Sequence, residues 1–142
     1  MPVIRRGEAR DLEEIARVQA ASPEAAQWNP SDYLIYDLLV SISEERVTGF
    51  LAARALGTGE AEILNVAVAP ASRRRGVARG LLQQYLSRFS GEVFLEVRES
   101  NAAALEFYKS MGFQEVSRRK EYYKSPLEAA IVMKFHSCYC GG

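Results

Sequence analysis

The sequence predicts an α/β layered fold, with a mixed central sheet of about seven strands flanked by about four helices. Three observations predict it. Apolar residues switch between alternation and helical spacing in the order β-α-α-β-β-β-α-β-α-β-β. The stretch from Ile63 to Val97 reads as strand, loop, helix and strand, the make-up of a right-handed parallel crossover. At 142 residues, 48% hydrophobic and 25% charged, the chain can bury one full core, and it reads as a single domain over residues 1–136 with a short tail at 137–142.

The elements follow in order. Val3-Ile4-Arg5 is a short strand, and Leu12, Ile15, Ala16 and Gln19 recur at helical spacing behind Asp11, Glu13 and Glu14, whose charges suit a helix N-terminus. After a loop at Ser22-Pro23, Asn29 as cap and Pro30 at the first helical position predict a second helix. Trp28 and Tyr33 have the spacing of a hydrophobic staple across that cap. Leu38 to Ile42, Val47 to Ala55 and Ile63 to Val68 form a meander, turning at Ser43-Glu44-Glu45 and Gly57-Thr58-Gly59. Val77, Leu81, Leu82, Tyr85 and Leu86 mark one face of a helix that Gly91 ends. Val93 to Val97 is a strand, Asn101 caps a helix through Met111, and Gly112 closes it. Phe113 to Arg119 and Ala130 to Phe135 read as a final hairpin.

Eighteen basic residues balance eighteen acidic ones, so no whole-protein field draws in nucleic acid, and direct nucleic-acid binding is not expected. No apolar run approaches the ~20 residues of a membrane span, and the first residues lack a signal-peptide stretch. The expectation is a cytoplasmic chain with no membrane partner. His136, Cys138 and Cys140 form H-x-C-x-C, but a four-ligand zinc site needs a second cluster that the sequence lacks. No metal site is expected, and the tail reads as frayed.

The run Arg73-Arg74-Arg75-Gly76-Val77-Ala78 lies between a strand and a helix. A helix start exposes unpaired N–H groups at the positive end of the helix dipole and binds phosphate readily. Gly76 removes the Cβ that would bar close approach. The pattern differs from G-x-G-x-x-G and from G-x-x-x-x-G-K-S/T. A solvated Arg-rich helix start is the plain alternative. The run resembles the pyrophosphate-binding loop of the GNAT acetyltransferases, Q/R-x-x-G-x-G/A, which holds acetyl-CoA. A second stretch, Leu95-Glu96-Val97-Arg98-Glu99-Ser100-Asn101 through Ala104, with Tyr108-Lys109-Ser110-Met111-Gly112-Phe113 after it, resembles the RimI branch of that family, bacterial enzymes that acetylate the N-terminal alanine of a small-subunit ribosomal protein.

The resemblance implies a GNAT fold and acetyl-CoA as cosubstrate, with Arg73, Arg74, Arg75, Gly76, Val77, Ala78 and Arg79 around the pyrophosphate. It implies that Val66, Ala67 and Val68 supply backbone groups to the pantetheine arm and that Asn101 touches the same arm. The physical requirement is a strand splayed from Val93-Phe94-Leu95, so that the cosubstrate completes the ladder. An ordinary, fully paired strand is the alternative. The resemblance further implies Glu96 as general base and Tyr108 as general acid.

Strand alternation puts Glu96 opposite Leu95 and Val97, beside Phe94 and Arg98. The gap between a carboxylate at ~4.3 and an α-amine at ~8 is roughly 5 kcal/mol, and a lysine at ~10.4 widens it, which favours an N-terminal amine as acceptor. An ion pair with Arg98 or another basic residue is the structural alternative for Glu96, and plain core packing that for Tyr108. Trp28, Tyr33 and the pair Tyr122-Tyr123 either wall a narrow acceptor groove or simply pack a helix and a hairpin. Glu128-Ala129 stands where relatives carry an acidic pair. The reading is therefore an acetyl-CoA-dependent enzyme acting on a peptide or protein N-terminus, such as that of a ribosomal protein. The alternatives are a GNAT acting on lysine or a small-molecule amine, and an acyl-CoA-binding module without turnover.

Overall fold

A computed structural model describes residues 2–23, 26–124 and 127–137. The strands are β1 (Val3–Arg6), β2 (Asp37–Ser43), β3 (Arg46–Gly57), β4 (Glu60–Val68), β5 (Gly91–Arg98), β6 (Gln114–Lys124) and β7 (Leu127–Ser137). The α-helices are α1 (Leu12–Ala20), α2 (Val77–Ser87) and α3 (Ala102–Ser110). The strands form one mixed sheet in the order β1-β2-β3-β4-β5-β7-β6. β1 and β2 pair antiparallel, as do β2 and β3, and β7 lies antiparallel between β5 and β6. β4 and β5 run parallel, the arrangement that a strand–helix–strand crossover produces. No helix among the described residues is long and apolar enough to cross a membrane.

The chain divides into two units. The first comprises Met1–Arg54 and Ile63–Phe89. Its core gathers Ile15 and Val18 of α1 with Val40, Val47, Phe50, Ala52 and Ala67 of β2 to β4, all buried. Burying aliphatic side chains of this size contributes roughly 1.5–3 kcal/mol each, which is what holds the amphipathic α1 on the sheet. The second comprises Ala55–Glu62 and Ser90–Gly142. Val93, Leu95 and Val97 of β5 share one buried face with Ile131 and Met133 of β7. Phe113 stacks on Phe135 at 5.3 Å, and Gly112, at φ +101, closes α3 where a Cβ would meet the Phe135 ring at 2.8 Å.

The expected second helix is a 3-10 helix, Pro30–Ile35, held by Asp32 N–H to Asn29 O and Tyr36 N–H to Tyr33 O. Asn29 does cap it, accepting from Ser31 N–H. Three consecutive apolar residues, Tyr33-Leu34-Ile35, cannot all face inward on a helix. Tyr33 is buried while Ile35 stays 76% exposed, so packing rewards only a single turn. Trp28 meets Tyr36 edge-on at 6.4 Å, and Tyr33 turns instead to Phe50 at 5.3 Å.

Candidate active site

The first unit carries a loop, a helix start and a strand end that the sequence singles out. After β4, Pro70–Ser72 makes one 3-10 turn, and Arg74 and Gly76 then take left-handed backbone at φ +64 and +78. These two reversals set Gly76 directly ahead of α2, whose first bond runs from Gly80 N–H to Gly76 O at 2.9 Å. The amides of Gly76, Val77 and Ala78 therefore precede the helix's own ladder at its positive end. A Cβ added at Gly76 would meet nothing within 4 Å, so the space before the helix is open to a ligand. Arg74, Arg75 and Arg79 are exposed, while Val77 is buried and anchors the loop to the core. Arg73 behaves differently. Its guanidinium donates to Val68 O at 3.3 Å, to Ala21 O at 3.1 Å and to Ser22 Oγ at 3.0 Å.

On β4, Asn65 and Ala67 are buried and Val66 and Val68 half-buried, the alternation expected of a strand with one face on the core. The parallel ladder with β5 runs from Glu60↔Glu92 to Glu62↔Phe94 and ends there among the described residues, although β4 continues to Val68. Backbone groups of Asn65 to Val68 thus lie on a strand edge that no ladder to β5 uses.

In the second unit, Glu96 sits with Phe94 and Arg98 on the half-buried face of β5, as alternation predicts. Its Oε1 accepts from Arg119 Nη1 of β6 at 2.6 Å, across the intervening β7 residue Val132. The structure thus supplies the ion pair, and its cation is Arg119. Arg98 is taken by Glu128 at 3.0 Å. Glu128 also accepts from Ser100 N–H at 3.0 Å and Ser100 Oγ at 3.2 Å. The Arg98 bond, with help from Ser100, holds the Glu128 carboxyl below the usual carboxylate range. Glu128 braces the loop that enters α3, a role in which sequence reading missed it. Its only signal was an acid preceding an apolar strand.

Asn101 Oδ1 caps α3 by accepting from Ala104 N–H at 3.1 Å. The cap takes one lone pair of Oδ1, and the two donor hydrogens of the residue lie on Nδ2. Tyr108 stands edge-on to Phe107 at 5.2 Å and to Phe113 at 5.6 Å. Desolvation pushes its hydroxyl up to about 12, so it is a donor at all physiological pH values. The Tyr122 and Tyr123 side chains, the Ser125-Pro126 turn and the Cys138 and Cys140 tail lie outside the described residues. No group of three or more His, Cys, Asp or Glu able to hold a metal occurs among the described residues.

A loop of this form ahead of α2, a parallel β4–β5 ladder that ends at Glu62↔Phe94, and a strand-borne glutamate match what the resemblance to GNAT acetyltransferases implies. The family model "Acetyltransferase (GNAT) family" matches residues 6–113, and the chain belongs to that family. It is similar to the [Ribosomal protein bS18]-alanine N-acetyltransferase of Salmonella typhimurium, 36% identical over 97 residues, which cover 64% of this chain and 65% of that protein. It is similar also to the N-alpha-acetyltransferase RimI of Mycobacterium tuberculosis, 46% identical over 76 residues, 53% of this chain and 48% of the relative. The chain thus spans about half to two thirds of the length of these curated relatives. Among solved structures it resembles the ribosomal-protein-S18-alanine N-acetyltransferase from Escherichia coli, with a TM-score of 0.83 and 27% identity over 97% of this chain and 95% of that one.

Proposed function

We propose that this chain transfers the acetyl group of acetyl-CoA to the N-terminal amine of a peptide or protein, by direct attack of the neutral amine. The open approach to the left-handed Gly76 at the start of α2 is the observation that carries the donor half of the reading. The residues present fit a pyrophosphate: three amides at a helix start, flanked by the exposed Arg74, Arg75 and Arg79. The β4 edge over Val66, Ala67 and Val68 suits an extended amide-containing arm, with Asn101 Nδ2 as a further donor. Acetyl-CoA supplies the activated acyl thioester.

The chain's own groups do the rest. Glu96 receives the amine proton, directly or through a water, at the oxygen opposite Arg119, whose bond fixes the carboxylate in one orientation. Tyr108 hydrogen-bonds the departing sulfur. With the hydroxyl at about 12 and a thiol near 8.5, full transfer is uphill by roughly 5 kcal/mol, so the hydrogen bond stabilises the thiolate and the proton follows late. The acceptor is an α-amine because more of it is neutral at physiological pH than of a lysine side chain. The similarity to proteins named as ribosomal-protein alanine N-acetyltransferases supports the same acceptor, and it is also what supports a ribosomal-protein substrate and a cytoplasmic location.

Turnover against short peptides differing only at the first residue tests the reading. Ala-starting peptides are expected to be acetylated at the α-amine, and the same peptides blocked there to be inert even with lysine present. Efficient acetylation of the blocked peptides overturns it in favour of a lysine acceptor. Binding of acetyl-CoA without any turnover points to the non-catalytic module.

A further inference from the structure

We propose that Arg73 is a positioning residue, which ties the start of the phosphate loop to the segment that carries Trp28 and does not itself hold phosphate. The assignment rests on the reading above, in which the loop takes the acyl donor, and takes Trp28 as a wall of the acceptor groove, one of the two roles its place in the sequence allows.

Among the described residues, Arg73 bonds acceptors at the ends of two elements of the first unit. Val68 O closes β4, and Ala21 O and Ser22 Oγ follow directly on α1. Carbonyl oxygens beyond a helix C-terminus carry the negative end of its dipole, so a guanidinium is well placed there. Ser22 is 2% exposed, which makes its hydroxyl a fixed partner. The guanidinium, exposed as it is, turns its Nε and Nη2 donors to protein oxygens. Arg74 and Arg75 are exposed like Arg73, but Arg74 takes φ +64, and this backbone reversal separates the two residues that follow from Arg73.

From Ser22 the bonds run onward. Gln27 Nε2 donates to Ser22 O and Gln19 O, both at 3.2 Å, and Gln19 Nε2 donates to Trp28 O at 2.6 Å. Asn65 of β4 donates to Ala26 O at 2.8 Å and to the Tyr33 hydroxyl at 3.0 Å, and that hydroxyl donates to Gln19 Oε1. Gln19, Asn65 and Tyr33 are buried. Such a network is rigid when every member is satisfied. Residues 26–28 are thereby held from α1, from β4 and, through Ser22, from Arg73. The start of the donor loop and the Trp28 segment share one frame.

Arg73→Met keeps an apolar stem and deletes the donors, and Ser22→Ala deletes one acceptor. Both are expected to raise the acceptor KM, by about tenfold for Arg73→Met, with kcat and CoA affinity within about twofold of wild type. The rise is expected equally with acetyl-CoA and with S-acetylpantetheine, which lacks the pyrophosphate. The double variant is expected to be no worse than Arg73→Met alone, because the two changes break one link. Trp28 is the chain's single tryptophan, so its emission is expected to shift in both variants. A CoA affinity that falls in Arg73→Met, with an acetyl-CoA-only defect, makes Arg73 a phosphate ligand and overturns the assignment. If Arg73→Met fails to fold, Ser22→Ala decides: wild-type acceptor KM and unshifted emission overturn it too. Absence of CoA binding by the wild-type chain instead overturns the underlying reading, and this assignment with it.

Discussion

Glu96 shows how much of one residue's role is written locally. Its face of β5 was legible from period-two alternation alone, since Val93, Leu95 and Val97 claim the other face. Its partner was not legible. Arg119 reaches it only because β6 lies beyond β7 and carries register shifts on either side of the Ser117 to Arg119 stretch. No spacing within β6 encodes that. Glu96→Gln keeps the side chain's size but not its basicity, and kcat is expected to fall by roughly 10²–10⁴ with acetyl-CoA binding retained. A wild-type rate would reduce Glu96 to a structural ion pair. Tyr108→Phe is expected to lower kcat with an unchanged circular dichroism spectrum, since the ring contacts to Phe107 and Phe113 survive the loss of the hydroxyl. At Gly76 a Cβ strikes no protein atom, so Gly76→Val costs backbone strain at φ +78 and blocks the approach of phosphate. The thermal shift that acetyl-CoA gives the wild type, measured against each variant's own ligand-free melting point, is expected to vanish in this one.

Element types were the most legible feature of the chain, and element lengths the least. α1, α2 and α3 start where caps and apolar spacing put them, and Asn101 and Gly112 bound α3 as expected. β6 runs on to Lys124 and β7 begins at Leu127, beyond the Phe113 to Arg119 and Ala130 to Phe135 spans that announced them, because polar residues such as Lys124 and Glu128 join a ladder when a partner strand offers hydrogen bonds. The 3-10 turn at Pro30–Ile35 had the cap of a helix without its amphipathic face. The β2–β3 turn carries strain. Glu44 and Glu45 close the β2–β3 hairpin at φ +51 and +63, a geometry that suits Asn-Gly. Glu44→Asn with Glu45→Gly is expected to stabilise the chain by about 0.5–1 kcal/mol in urea unfolding. Gly91, at φ +139, brings its Cα hydrogens against the Gly59 carbonyl, where a Cβ would stand 2.2 Å from the oxygen. Gly91→Ala is expected to cost at least about 2 kcal/mol in the same assay.

At the scale of the molecule, acid is the condition to which the fold is most exposed. Arg5 bonds Asp11 in a two-pronged pair at 2.8 and 2.9 Å and, with the Glu8 amide, holds the Asp11 carboxyl low against its own desolvation. Glu128 is lowered by Arg98 in the same sense. Both groups bind a proton more weakly folded than unfolded, so their stabilisation is complete above the ordinary carboxylate range near 4. It is lost as pH falls through their depressed folded values. Asp11→Asn is expected to flatten the melting temperature against pH in that window, and an unflattened curve would remove the pair from the account of acid stability. The strands themselves and the parallel crossover from β4 to β5 were legible in the alternation of apolar runs, but the insertion of β7 between β5 and β6 and the early end of the β4–β5 ladder were not, since Ile63 to Val68 reads as an ordinary strand. That early end has a cost outside catalysis. Beyond Glu62, the backbone of β4 is not used by the ladder to β5 among the described residues, and Val66 and Val68 carry the β-branched side chains that strand pairing favours. The same groups that would grip a cosubstrate invite self-association when nothing occupies them. Concentrated ligand-free protein is expected to scatter light on storage, and saturating CoA to suppress it, so the ligand would serve the chain as a solubility factor as well as a reactant.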